Sequence, residues 1–212
     1  MENTLLLHRH TGFRHAISAG IIVGLLLAVV PVLSANTNTK LLKQFRNTYG
    51  GITSAEISFS SGVASGTITA VKGKGYRITL PDQEFISDNS TVWQINKRTK
   101  TVVINAVSSA GQTASLDQMF FVLMNIYVPS VVSSVPGKAC IRLTPPHQSA
   151  AIAGVEYANV YLNKKNGITR IVVSDGQHET EWTIRSIKTR VQVKPSAFTF
   201  TAPKGWQVID LR

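Results

Sequence analysis

The residues that could do chemistry in this 212-residue chain are few and lie far apart. There is no G-x-S-x-G segment, and His147 and His178 are the only histidines after residue 15. A nucleophile would therefore lack a nearby imidazole base, and two distant histidines make no metal-ligand motif. The single cysteine, Cys140, lies in an alternating apolar segment and is interpreted as a small buried residue. We therefore expect neither an enzyme nor a metal site, with both histidines at the surface.

Two further groups of residues resemble functional motifs only superficially. Asp82, Glu84 and Asp88 could supply the facing carboxylates of a glycosidase, but both aspartates occupy turn positions, where they bind local backbone. The segment 71–75 (VKGKG) suggests a phosphate loop, yet it lacks the G-K-[ST] ending and opens no helix. Its lysines could instead contact lipid headgroups.

The N-terminal residues have the composition of a secretory signal. Two arginines precede an apolar run over residues 16–33, and the small residues Ser34 and Ala35 follow it. Pro31 is expected to break the helix just before this point, so we expect cleavage near Ser34 or Ala35 and export of the remaining chain. The alternative is a retained anchor, because about 18 apolar residues just span a bilayer.

The remaining chain, residues 36–212, contains no long linker and is predicted to form a single domain. The whole sequence carries a formal net charge of +11. For an exported protein this surplus fits anionic lipid or glycolipid surfaces better than nucleic acid, so we expect no nucleic-acid partner. Because the basic residues are scattered, a solvated surface that serves solubility is the alternative. No cofactor motif is present.

Two segments have the pattern of helices. Residues 38–49 place Leu41, Phe45 and Tyr49 on one face, and two glycines end the segment. Residues 115–128 are apolar nearly all round, begin with a capping-box pair and end at a proline. A helix of this kind must be covered on most sides, by protein or by an apolar ligand. We interpret it as a lid over an apolar site, and plain core is the alternative.

Most of the remaining chain alternates with a period of two, between short turn segments. The pattern predicts a mostly β fold of roughly ten antiparallel strands, in a strongly curved sheet or an unclosed barrel with the helices on its concave side. Residues 131–137 are predicted to be a loop, and residues 197–201 the last strand. The mouth of such a barrel is a common place for an apolar ligand.

The candidate site residues follow from these elements, although alternation does not tell which face of the sheet is concave. The candidates in the lid are Met119, Phe120, Leu123, Met124 and Tyr127. The candidates on the apolar face of the sheet are Ile57, Phe59, Ile68, Ile78, Leu80, Phe85 and Trp93.

Several segments, in this order and spacing, resemble the periplasmic outer-membrane lipoprotein carrier (LolA) family. The stretches that carry the resemblance are 66–80 (GTITAVKGKGYRITL), 85–96 (FISDNSTVWQIN), 141–145 (IRLTP) and 198–208 (FTFTAPKGWQV). The apolar segment 115–128 falls where the family has its lid helix. The similarity extends from Leu41 to Val208.

The resemblance implies the fold, an incomplete antiparallel β-barrel closed by helices, and it also implies a function. A member would be a monomeric periplasmic chaperone that binds the acyl chains of lipoproteins in an apolar cavity and carries them from the inner to the outer membrane. The implied partners are acylated lipoproteins, an inner-membrane lipoprotein-releasing transporter, and an outer-membrane receptor or the outer membrane itself. The alternative is a lipid- or lipoprotein-sensing module that acts through a protein partner.

One departure from the family concerns its basic position. Lys72 stands where the family has an arginine ahead of the aromatic-bearing strand. Lysine lacks the planar guanidinium fork, so a bidentate latch at this position would be weakened.

Overall fold

Twelve strands and two α-helices make up the computed structural model, which describes residues 31–62, 64–107, 116–135 and 138–212. The helices are α1 (Pro31–Tyr49) and α2 (Leu116–Asn125). The strands are β1 (Ser54–Ser60), β2 (Ser65–Val71), β3 (Gly75–Thr79), β4 (Gln83–Ser87), β5 (Thr91–Asn96), β6 (Thr101–Ala106), β7 (Val128–Val135), β8 (Lys138–Thr144), β9 (Tyr157–Leu162), β10 (Ile168–Ser174), β11 (Glu179–Thr189) and β12 (Gln207–Asp210). Two short 3-10 turns span Gln148–Ala150 and Pro195–Phe198.

All twelve strands belong to one sheet, in the order β12-β6-β5-β4-β3-β2-β1-β11-β10-β9-β8-β7. Neighbouring strands are antiparallel, except that β12 runs parallel to β6. The sheet is strongly curved, and it is not closed because β12 and β7 each have one neighbour. This confirms the predicted mostly β class and the incompletely closed, curved sheet with two helices, with two strands more than the roughly ten expected.

The register of the strands decides which residues share a face. Ile57 lies opposite Ile68, Ile68 opposite Ile78, and Ile78 opposite Phe85, so one row of apolar side chains crosses four strands. We call the face that carries this row the inner face, and the opposite one the outer face. The row and the helices share one core cluster.

A β-bulge between β1 and β11 adjusts this register. Ile57 pairs with Ile187 but Phe59 pairs with Ile184, so β11 has one extra residue between the two pairs. The bulge keeps both isoleucines on the inner face. It leaves Arg185, which lies between them in the sequence, exposed to solvent.

The main core lies between the inner face and the two helices. Leu41, Phe45 and Tyr49 of α1 are buried at helical spacing, as the sequence predicts. The Tyr49 hydroxyl also accepts a hydrogen bond from the backbone N–H of Ile168, at 3.3 Å. This bond fixes the end of α1 against β10.

A second, smaller cluster covers the outer face at β4, β5 and β6. Its buried members are Ile86, Ile95 and Val102, and the partly buried side chains packed on them include Trp93, Phe200 and Trp206. The chain therefore crosses the back of the sheet after its last long strand. It then adds β12 at the edge.

Two predicted elements of the second half are wrong. Residues 131–137 were expected to form a loop, but β7 extends to Val135 and pairs with β8. As an edge strand with one partner, it carries exposed serines and valines, and this hides the alternation. The strand expected over residues 197–201 is replaced by a 3-10 turn and the crossing segment, in which Phe200 packs on the second cluster.

The helix boundaries also differ from expectation. α1 is described from Pro31 and continues over Ser34 and Ala35, so it is longer at its N-terminal end than the helix expected over residues 38–49. The expected break of the apolar segment before Pro31 involves residues that lie outside the described part of the chain. α2 ends at Asn125 rather than 128. Its expected first residue, Ser115, lies outside the described residues.

Candidate functional site

A cavity of about 210 Å³ lies between the inner face and α2. Five consecutive strands of the sheet, β3, β2, β1, β11 and β10, form its floor and walls, and α2 forms its roof. The lining residues are all apolar in class and carry no charge: Ala55, Ile57, Phe59, Ile68, Ala70, Ile78, Phe120, Leu123, Ile171, Val173, Trp182 and Ile184.

The space exists because small and large residues alternate along the floor. Ala55 and Ala70 lie opposite each other on β1 and β2, next to the row of isoleucines, and both are almost fully buried. Their methyl groups reach less far toward α2 than an isoleucine would. In the roof, Phe120 and Leu123 are three residues apart and so project from one side of α2.

Six of the predicted site residues line this cavity. They come from β1, β2 and β3 and from α2, with β4, β5 and β6 between them in the sequence. They are Ile57, Phe59, Ile68, Ile78, Phe120 and Leu123. Leu80 and Phe85 pack against the same core but do not line the cavity. Met124 and Tyr127 are buried in that core behind the roof. Met119 belongs to α2, and its side chain lies outside the described part of the chain.

Trp93 lies on the other side of the sheet. It pairs with Ile86, whereas Phe85 pairs with Gln94, so Trp93 and Phe85 face opposite ways. The expectation that they share one apolar face is wrong, and Trp93 contacts the second cluster instead. Lys72 is exposed in the turn between β2 and β3, where its backbone N–H donates to the Thr53 carbonyl.

Six lining residues escaped the sequence analysis. Ala55 and Ala70 are too small to stand out in an alternating pattern. The other four lie two residues apart in pairs, Ile171 with Val173 and Trp182 with Ile184. This alternation could have shown that each pair lies on one face of its strand. Nothing local shows that β11 pairs with β1, because more than a hundred residues separate the partners.

The C-terminal end of the roof helix is held by hydrogen bonds to buried backbone. The Tyr127 hydroxyl donates to the Val155 carbonyl at 2.8 Å and accepts from the Ile152 N–H at 3.2 Å. Asn125 donates its side-chain amide to the Ile52 carbonyl at 3.3 Å. This end of α2 is therefore fixed to two loops of the protein.

Removing the Tyr127 hydroxyl is expected to destabilise the protein. Tyr127→Phe leaves the buried Val155 carbonyl and the part-buried Ile152 N–H without their partner, which costs about 1–3 kcal/mol of unfolding free energy. Urea denaturation measures this loss. The matched control is Tyr157→Phe, whose hydroxyl donates to Glu179 at the surface and whose loss should cost no more than about 0.5 kcal/mol. Equal losses would contradict the anchoring role.

Cys140 is buried in β8, opposite Tyr161 of β9. Burial raises the pKa of its thiol, and the charges of Arg142 and Arg170 oppose this shift only in part. A protonated, buried thiol is a poor nucleophile. We therefore expect Ellman's reagent to label Cys140 slowly at pH 8 in the native protein and rapidly in urea. Rapid labelling without denaturant would contradict this assignment.

The other candidate chemical groups are structural. Asp88 accepts hydrogen bonds from the backbone N–H groups of Ser90 and Thr91, which confirms its turn role. Both His147 and His178 are exposed, as expected. Within the described ranges, no three histidine, cysteine or acidic residues are grouped so as to hold a metal ion. No helix in those ranges is both long and apolar enough to cross a bilayer.

Comparison with known proteins relates this architecture to a family. An uncharacterized conserved protein from Thermus thermophilus is 11% identical, covers 82% of this chain and 98% of its own, and has a TM-score of 0.48. LprF from Mycobacterium bovis is 12% identical, with coverages of 81% and 98% and a TM-score of 0.39. No curated protein matches the chain. The model of the outer membrane lipoprotein carrier protein LolA matches residues 47–201, which is more than half of the sequence, and the chain belongs to this family.

Proposed function

We propose that this protein is a periplasmic chaperone that takes lipoprotein acyl chains into the cavity beneath α2 and carries them from the inner to the outer membrane. The observation that carries the proposal is the uncharged, apolar lining of a cavity roofed by a single helix. An apolar cavity of about 150 Å³ in another protein stays dry and binds small apolar molecules. Family membership supports a binding and carrier role rather than catalysis.

The chemistry of the lining suits a carrier that must also release its cargo. Each methylene removed from water contributes roughly 0.8 kcal/mol, so acyl chains need no polar anchor to bind. A lining without charges provides this non-directional attraction, and it creates no specific bond that must be broken on delivery. The same lining accepts chains of different length.

The size of the cavity implies that α2 moves on loading. About 210 Å³ is below the roughly 300–1,000 Å³ that is usual for ligand sites, so the cavity as observed encloses only part of a chain. Tyr127 and Asn125 hold the C-terminal end of α2, and the roof would therefore turn about that end.

The proposal also covers how the protein is exported, loaded and unloaded in the cell. Residues 1–35 act as a signal that is removed near Ser34 or Ala35, and residues 36–212 act as a monomeric carrier. An inner-membrane lipoprotein-releasing transporter loads it, and an outer-membrane receptor or the outer membrane receives the cargo. Mass spectrometry of the exported protein identifies the mature N-terminus, and an N-terminus still at Met1 would favour a retained anchor.

The test uses the full chain, exported and processed by a Gram-negative host and purified from its periplasm. Added to spheroplasts, it should release newly made lipoproteins into the soluble fraction as a 1:1 complex. Release of no lipoprotein, with free lipid or a protein partner bound instead, would reject the carrier role and favour the sensing module.

A further inference from the structure

A second pocket, of about 510 Å³, lies against β4, β5, β6 and β12. We call it the amide pocket, because four of its lining side chains end in carboxamides and none of its lining residues carries a charge. Its polar lining residues are Gln83, Gln94, Asn96, Thr99, Thr101 and Gln207. The cavity beneath α2 is apolar, so the two spaces offer different chemistry to a ligand.

The strand register places the amide pocket and the cavity on the same face of the sheet. Ile78, which lines the cavity, lies opposite Phe85, and Phe85 lies opposite Gln94. Gln94 in turn lies opposite Val103, so the row that begins at Ile57 continues along the inner face through the amide pocket. Because neighbouring strands are about 4.8 Å apart, the backbones at Ile78 and Gln94 are roughly 10 Å apart.

A second row of polar residues crosses the same four strands. Gln83 lies opposite Asn96, and Asn96 lies opposite Thr101. Thr101 lies opposite Gln207 of β12. Alternate residues of a strand share a face, so this row also lies on the inner face, two residues along each strand from the first row. The pocket is therefore a polar continuation of the surface that forms the floor of the cavity.

The carboxamides are available to a ligand. The side chains of Gln83, Gln94 and Gln207 are exposed and make no hydrogen bond with any described residue. Each carboxamide has an accepting oxygen and two N–H donors. These are the groups that a peptide bond also carries, so the pocket can pair with both the N–H and the C=O groups of a polypeptide. A phosphate or a carboxylate would find no cation in the lining.

The edge strand beside the pocket favours a peptide over a sugar headgroup, which carboxamides can also bind. β12 pairs with β6 and has no strand on its other side in the part of the chain that the structure describes. All four residues of β12 are exposed. An extended peptide can add main-chain hydrogen bonds along such an edge, and a sugar cannot.

We infer that the amide pocket binds the extended polypeptide segment next to the acylated residue of a lipoprotein, while the acyl chain occupies the cavity. This inference rests on the proposed function, because it requires that the cavity takes acyl chains. The roughly 10 Å between Ile78 and Gln94 corresponds to about three extended residues. Hydrogen bonds between uncharged groups replace similar bonds to water, so they add affinity and still allow release.

Calorimetric titration with three probes that share a decanoyl chain tests the inference. The first probe is a decanoyl hexapeptide amide of alternating serine and glycine. The second is the same molecule with its peptide nitrogens methylated, and the third is the decanoyl monoacylglycerol. We expect the wild-type protein to bind the first probe about tenfold more tightly than the second, because methylation removes the N–H donors.

A variant of the amide pocket assigns this difference to a place. Gln94→Ala should remove most of the difference between the two peptide probes and leave the affinity for monoacylglycerol unchanged. Gln94 is exposed, so the variant should fold like the wild type. The matched control is Gln177→Ala, which removes an exposed glutamine from the turn between β10 and β11, outside the amide pocket. This control should bind all three probes like the wild type.

Each other outcome rejects a specific part. If the two peptide probes bind the wild type equally, the peptide contact is rejected while the proposed function stands. If none of the three probes binds, the proposed function fails. If Gln94→Ala keeps the whole difference, or Gln177→Ala loses as much of it, the amide pocket is not the place of contact. A decyl glucoside that binds as tightly as the first probe, with the same dependence on Gln94, would identify a sugar site and overturn the peptide assignment.

Discussion

Replacing Phe120 by glutamate is expected to lower the affinity for an acyl chain by about 100-fold or more while the sheet stays folded. Phe120 lies in the roof of the cavity, and the lining opposite contains no charged residue. A carboxylate there must either lose its hydration without a compensating cation or keep its water and expose the acyl chain. Either cost amounts to several kcal/mol.

Titration with monoacylglycerol measures the loss, and circular dichroism checks the sheet. Ile126→Glu is the matched control, because it introduces the same charge just beyond α2 at a side chain that is 52% exposed. We expect this control to bind like the wild type. We expect the affinity of Phe120→Glu for monoacylglycerol to recover in part at acidic pH, because protonation makes the buried carboxyl neutral. If Phe120→Glu binds monoacylglycerol as tightly as the wild type at pH 8, α2 does not form part of the binding site.

Ala70→Phe is expected to fill the cavity from its floor and to weaken acyl binding by about tenfold or more. Ala70 is 2% exposed and lines the cavity, opposite Ala55 on the neighbouring strand. A phenyl ring at this position would occupy the space that the two small residues leave. Because the added atoms enter a void, the unfolding free energy should fall by no more than about 3 kcal/mol, the usual upper cost of overpacking.

Comparing acyl chains of different length gives a more specific test of this prediction. Because the phenyl ring at position 70 shortens the cavity, the affinity for a long acyl chain should fall more than the affinity for a short one. Ala139→Phe is the control, because Ala139 packs against the same core on β8 but does not line the cavity. If both variants weaken binding equally, the cavity is not where the chain lies. If neither does, the acyl chain binds elsewhere on the protein.

The local parts of this structure could be predicted from the sequence. Alternation between residues 54 and 107 identified six strands, because each buries one face and ends at a turn residue. The roof helix was identified because few polar residues interrupt its segment. Phe120 and Leu123 follow directly from its helical spacing.

The site residues that were misplaced or missed depend on how the strands pair with each other. The turn at Asp88 sets the register of β4 on β5, and that register turns Trp93 to the outer face. Alternation within β5 is the same for either face, so the sequence pattern could not decide. Likewise, Trp182 and Ile184 reach the cavity only because β11 pairs with β1. The bulge that exposes Arg185 arises from the same long-range pairing.

The free edges at β7 and β12 have a mechanical consequence. In a closed barrel, the number of strands and their stagger fix the circumference. A sheet that stops short of closure has no such constraint, because a small change of twist at each strand pair alters its curvature without breaking a ladder hydrogen bond. If the proposed carrier function holds, the sheet can widen when a larger acyl chain enters the cavity, and the elastic energy of the widened sheet then favours release of that chain.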